Sequence, residues 1–163
     1  MLPRAAFRAG AFQPAAFRMS PFLNLLSLST PTTNAATLTN IGAVANNDAT
    51  KLAPDGSYNS EKLTAGSSAT GIAAVRQTGF TFTNGTKYTV SVWAKANGQN
   101  HLELSNSDDT GSNRTYAQCF NLSTGATGAS GGTVYASGME SYAGGWYRCW
   151  VTFTGATSNG ELY

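Results

Sequence analysis

The sequence predicts an all-β fold, and three observations carry that prediction. Short runs in which apolar and polar residues alternate recur along the 163 residues, and a period of two is the mark of a strand. Turn dipeptides separate these runs: Asp55-Gly56, Asn84-Gly85 and Asn97-Gly98, Asn-Gly being the strongest short hairpin signal. No stretch repeats its apolar residues at the spacing of a convincing helix. Eight or so short strands with turns every 8–12 residues argue for a β-sandwich, and a jelly-roll β-sandwich is the best specific form.

Composition agrees. Hydrophobic residues make up 41% of the chain, enough for a core, while only 11% of residues are charged. Ordinary soluble domains carry roughly 25%. The surface must therefore be built from Gly, Ser, Thr and Asn, as in turn-rich extracellular and virion proteins. The net charge of +2 gives no general case for nucleic acid. The longest apolar run, Phe22 to Leu28, falls far short of the ~20 residues a spanning helix needs, so no membrane partner is expected.

Residues 1–23 read as an extended N-terminal arm. Ala5-Ala6-Phe7-Arg8 recurs as Ala15-Ala16-Phe17-Arg18, and Phe12 and Phe22 keep the ten-residue spacing. Arg4, Arg8 and Arg18 are the charges of residues 1–47, which contain no acid. Pro3, Pro14 and Pro21 interrupt any continuous amphipathic helix. An arm whose phenylalanines dock into pockets on another protein is preferred over a disordered tail or a targeting segment.

Residues 24–163 form the sandwich in this reading. Leu25, Leu26 and Leu28 suggest a first strand, and residues 35–44 a weak one. Asp55-Gly56 turns the chain before a short strand at Glu61-Lys62-Leu63. Residues 72–82 alternate loosely. Tyr88–Ala96 alternates cleanly, with Tyr88, Val90, Val92 and Ala94 on one face and Thr89, Ser91, Trp93 and Lys95 on the other. His101–Ser105 and Thr115–Leu122 are further strands, and residues 123–132 read as a Gly/Ser/Thr loop before a short strand at Thr133–Tyr135.

Gly144-Gly145 then opens the most informative strand, Trp146–Phe153. Tyr147, Cys149, Val151 and Phe153 share one face; Trp146, Arg148, Trp150 and Thr152 share the other. A period-two strand normally wets one face. Here the wetter face still carries two indoles and a guanidinium, so it needs a partner surface: a sheet, a subunit, or a ligand with flat apolar and hydroxyl-bearing surfaces such as sugar.

Trp93 and Trp150 are the stacking candidates for such a ligand. Lys95, His101, Glu103, Tyr116, Gln118 and Arg148 are candidate hydrogen-bonding partners, placed by parity mostly on outward faces. Trp146, following the Gly-Gly turn, is expected to pack beneath a loop instead. No enzyme is expected. Glycosidases usually need two facing carboxylates, and nothing in the sequence ties Glu103 to Glu140. His101 has no Cys or His at zinc-ligand spacing. Asp48, Asp55, Asp108 and Asp109 are loop oxygens suited to calcium, but a solvated turn is the commoner reading, so no cofactor is expected. Cys119 and Cys149, both in expected strands, read as small buried thiols rather than a disulfide.

Several pieces together resemble a known module. They are Asn24-Leu25-Leu26, Ala53-Pro54-Asp55-Gly56 followed by Glu61-Lys62-Leu63, Tyr88–Ala96, Phe120-Asn121-Leu122-Ser123-Thr124-Gly125, and Gly145-Trp146-Tyr147-Arg148-Cys149. In this order they resemble the carbohydrate-binding-module-like jelly-roll domain of tailed-phage virion proteins, over roughly residues 24–163. The chain departs from that family at Asn121, where the family usually has Asp, which puts a carboxylate-dependent contact there in doubt. The family also continues its last strand past the position of Tyr163. From this the domain is expected to lack its last strand, the chain being a fragment or a neighbouring chain supplying the strand.

The resemblance implies a non-enzymatic structural protein on the virion surface, a tail fibre or a capsid decoration or head fibre. Its partners would be other virion proteins, met through the arm, further copies of itself, and host surface glycan. The alternative is a glycan-binding accessory module of a secreted polysaccharide-active enzyme.

Overall fold

The computed structural model describes residues 38–41, 43–45, 51–58, 60, 62–64, 74–108, 114–156 and 158–162. The expected arm with Arg4, Phe7, Arg8, Phe12, Phe17, Arg18 and Phe22, the expected strand at residues 25–28, and Asp48 and Asp109 lie outside them.

The described residues form an all-β, sandwich-like domain. Its strands are β1 (Leu38–Ile41), β2 (Ala43–Ala45), β3 (Lys62–Thr64), β4 (Ala74–Phe82), β5 (Lys87–Lys95), β6 (His101–Asp108), β7 (Tyr116–Asn121), β8 (Ala126–Gly132), β9 (Val134–Tyr142), β10 (Trp146–Thr154) and β11 (Ser158–Leu162). One sheet has the order β1-β4-β11-β6-β7-β8, a second the order β5-β10-β9, and β2 pairs with β3 apart from both. All the pairings are antiparallel.

The core lies between the two large sheets. From the second sheet come Cys149, Val151 and Phe153, each no more than 1% exposed. From the first come Phe80, Phe82, Leu104, Tyr116, Phe120 and Leu162. Phe153 is the aromatic hub. Its ring stacks on Tyr116 at a centroid distance of 4.1 Å and meets Phe82 edge-on at 5.4 Å. Tyr88 stacks on its other side at 5.9 Å. The inward and outward faces expected for β10 are those observed.

Turn chemistry sets the strand ends. Asn84-Gly85 joins β4 to β5, with Gly85 at φ 77°, a region open to glycine. After β7 the Asn121 amide oxygen accepts from the Ser123 amide at 3.0 Å, the Ser123 hydroxyl at 2.7 Å and the Thr124 amide at 3.2 Å. A neutral amide thus closes this turn, and no carboxylate is needed for it.

Two expectations need correction. Residues 123–132 are not one loop: after the turn, β8 runs from Ala126 to Gly132. Its seven residues are all exposed, so burial imposed no apolar pattern on them. β9 is nine residues long where a stub at 133–135 was expected, because its outward positions carry small or polar side chains. The strand β11 sits between β4 and β6 and pairs with both.

The cysteines are free thiols. Phe120 is fully buried, so its neighbour Cys119 faces outward, whereas Cys149 faces the core. Burial pushes the Cys149 thiol up to about 11. Burial, and then the negative Glu103 carboxylate beside it, also raise the Cys119 thiol.

Candidate functional site

The outward face of the β5-β10-β9 sheet is laid out in rows by its register. Lys95, Trp146 and Tyr142 form the first row, and Trp93, Arg148 and Glu140 the second. Ser91, Trp150 and Gly138 form the third, and Thr89, Thr152 and Ala136 the fourth. This one face brings together Trp93, Lys95, Arg148 and Trp150, all candidates from the sequence.

Trp93 and Tyr142 belong to strands two apart, roughly 10 Å between backbones. Their rings nonetheless meet over β10, at 5.3 Å between centroids and an interplanar angle of 66°. That is the edge-to-face arrangement aromatic quadrupoles favour. Trp93 is 41% exposed and Tyr142 48%, so the pair is both ordered and open to solvent. In the same row as Trp93 the Arg148 Nη1 group donates at 3.4 Å to each oxygen of Glu140. Both side chains of that pair are about half exposed, and such surface pairs contribute little to stability.

Trp150 serves the packing of the sheet. A Cβ added at Gly138 would lie 2.8–2.9 Å from three atoms of its indole. The indole therefore rests on bare β9 backbone, and only glycine leaves room for it. Farther along, the Thr89 and Thr152 hydroxyls hydrogen-bond at 2.7 Å. Lys87 of β5 places its ammonium 3.3 Å from the centroid of the Tyr135 ring, a cation–π contact.

Trp146 packs beneath a loop, as expected from its place after Gly144-Gly145. Its indole N–H donates to the Leu52 carbonyl at 2.9 Å. The loop it holds is built by Ala53-Pro54-Asp55-Gly56, in which the Gly56 amide donates to the Ala53 carbonyl at 3.0 Å. Pro54 sits at the turn position that suits its fixed φ. The Asp55 carboxylate accepts from the Ser57 amide at 2.9 Å and the Ser57 hydroxyl at 2.6 Å. Those bonds hold its carboxyl below the ordinary carboxylate range. Between this loop and the sheet end lies a cleft of about 520 Å³ whose walls include Lys51, Leu52, Pro54, Lys95, Tyr142 and Trp146.

The other sequence candidates lie elsewhere. His101 and Glu103 are on the outward face of β6 in the opposite sheet, where Glu103 pairs with Arg114 at 2.6 Å. Glu103 and Glu140 therefore stand on different sheets, each beside its own arginine. Tyr116 and Gln118 were expected outward and are not: they are 1% and 2% exposed. Their parity is that of Phe120, into the core. The Gln118 amide there donates to the Cys119 and Gly128 carbonyls at 2.9 and 3.2 Å. Buried in this way, neither side chain reaches a surface ligand. Among the described residues no group of three His, Cys, Asp or Glu side chains is placed to hold a metal ion.

Sequence reasoning missed Tyr142 and Lys51, and weighed Glu140 only as a catalytic carboxylate, not as a member of this face. Tyr142 and Glu140 follow once β9 is read to its end, since Ala136, Gly138, Glu140 and Tyr142 alternate outward. Lys51 carries no pattern at all; among the described residues the Trp146–Leu52 hydrogen bond ties its loop to the sheet. No protein-family model matches the chain, and no curated protein matches it.

Proposed function

We propose that this chain is a non-enzymatic glycan-binding module of a phage virion structural protein, with the outward β5-β10-β9 face as its binding platform. The observation that carries the reading is the Trp93–Tyr142 ring pair, open to solvent on the face that also carries the Arg148–Glu140 pair. Indole and phenol faces stack against the C–H face of a pyranose, while guanidinium, carboxylate and ammonium groups around them hydrogen-bond its hydroxyls. Glu103 and Glu140 are on different sheets, so this pair does not supply the two facing carboxylates of a glycosidase.

A jelly roll is the topology we propose for the sandwich. The nested pairs β4·β11 and β5·β10, in different sheets, with β6 beside β11, support it. The virion setting rests on the ordered motifs and the low-charge composition. Attachment through the phenylalanine-bearing arm would bury roughly 1.5–3 kcal/mol per docked Phe. Copies in an oligomer would add avidity.

The test is a glycan array with wild type and Trp93→Ala. Binding by the wild type that is lost in the variant, with a melting temperature lowered by no more than about 4 °C, is the expected result. A wild type that binds no glycan overturns the reading and leaves a purely structural protein.

A further inference from the structure

The cleft between the 51–57 loop and the end of the β5-β10-β9 sheet adds a charge preference to this platform. Its walls hold two ammonium groups, Lys51 and Lys95, and no carboxylate. The acids nearest in the chain, Asp55 and Glu140, are not among the walls, and each has its own partner. Asp55 is turned to the amide and hydroxyl of Ser57, and Glu140 is paired with Arg148. The Leu52 carbonyl is taken by the Trp146 indole N–H. Among the described residues neither Lys51 nor Lys95 has a carboxylate partner, and both are exposed.

Two lysines on the walls of one cleft, with no carboxylate among those walls, favour an anion there and speed its arrival. Tyr142 is both a wall of this cleft and one member of the exposed ring pair. A ligand in the cleft therefore shares the Tyr142 ring with the aromatic pair. The volume of about 520 Å³ falls within the roughly 300–1,000 Å³ of small-ligand sites.

We infer that the cleft binds the acidic unit of a negatively charged glycan, with Lys51 and Lys95 holding its carboxylate, sulfate or phosphate and Tyr142 its ring. This rests on the platform reading above and narrows its ligand to acidic saccharides. The aromatic wall is what favours an acidic sugar over a free inorganic anion. The rigid back wall comes from Trp146, whose hydrogen bond fixes the loop that carries Lys51.

The experiment uses paired probes on the whole chain. Oligogalacturonate is compared with its methyl ester, a sialylated oligosaccharide with its desialylated form, and a sulfated and a phosphorylated oligosaccharide each with its uncharged form. Inorganic phosphate is titrated separately. Binding to at least one acidic member is expected, with its neutral partner weaker by tenfold or more. Lys51→Gln and Lys95→Gln should each weaken the acidic member roughly three- to tenfold, as loss of one exposed charged contact does. Neither should change the melting temperature. Equal binding of acidic and neutral members overturns the inference but leaves the platform standing. Binding of none of the saccharides overturns both, and binding of phosphate alone overturns the assignment to a sugar.

Discussion

Replacing Phe153 by alanine tests whether the two sheets share the core described. The side chain is 1% exposed and touches three aromatic rings, at 4.1, 5.4 and 5.9 Å. Its chain neighbours on the same face, Val151 and Cys149, are fully buried, so little can move in to fill the space. Phe→Ala changes in such cores cost about 3–5 kcal/mol, and limited collapse puts this site in the upper part of that range. For a domain of this size the loss corresponds to a fall in Tm on the order of 10–20 °C. Urea unfolding followed by near-ultraviolet circular dichroism reads the same quantity as a shifted midpoint. Trp93→Ala, on the exposed face of the same sheet, serves as the comparison and should cost about 1 kcal/mol or less. A Phe153→Ala protein within about 1 kcal/mol of wild type would refute this packing of β10 against β4 and β7.

Other expectations follow from single contacts. Trp146→Phe keeps a ring but removes the donor to Leu52, costing about 0.5–1.5 kcal/mol; faster amide exchange across residues 51–57 is the readout, and unchanged exchange would contradict it. With the protein folded, a thiol reagent should modify Cys119 slowly and Cys149 only after unfolding, since both thiols are raised and only Cys119 faces outward. Loss of both thiols under non-reducing conditions would sink that account. The Asp55 carboxyl, held low by Ser57, binds its proton more weakly folded than unfolded. Its contribution is therefore complete above the unfolded value and disappears only as pH falls through the lower folded one. A carboxyl carbon titration of Asp55 by NMR with a midpoint at or above the ordinary value would contradict this.

Much of the fold was legible because burial had imposed a pattern. β5 and β10 alternate, and both faces of β10 were assigned correctly from Tyr147, Cys149, Val151 and Phe153. Asn84-Gly85 and Ala53-Pro54-Asp55-Gly56 announced turns through the backbone demands of their residues. β8 and most of β9 were not legible: β8 has no buried position. β9 keeps Gly138 because the Trp150 indole needs its backbone bare, so a tertiary contact wrote a turn residue into a strand.

The candidate site divided along the same line. Trp93, Lys95, Arg148 and Trp150 were found by parity on strands with clear registers. Tyr116 and Gln118 were misplaced because the expected strand at 115–122 has polar residues on both faces, and Gln118 meets its hydrogen-bonding needs inside the protein. Lys51 was invisible, since its loop is tied to the sheet by a hydrogen bond spanning 94 residues of sequence.

The central claim is that the outward β5-β10-β9 face receives a glycan, and side-chain NMR of the three tryptophans tests it most directly. A bound saccharide is expected to shift the Trp93 indole N–H and the Tyr142 ring signals most. The His101 and Glu103 signals, on the opposite sheet, should stay still. Shifts confined to the His101–Glu103 side, or none with any glycan, would contradict the account.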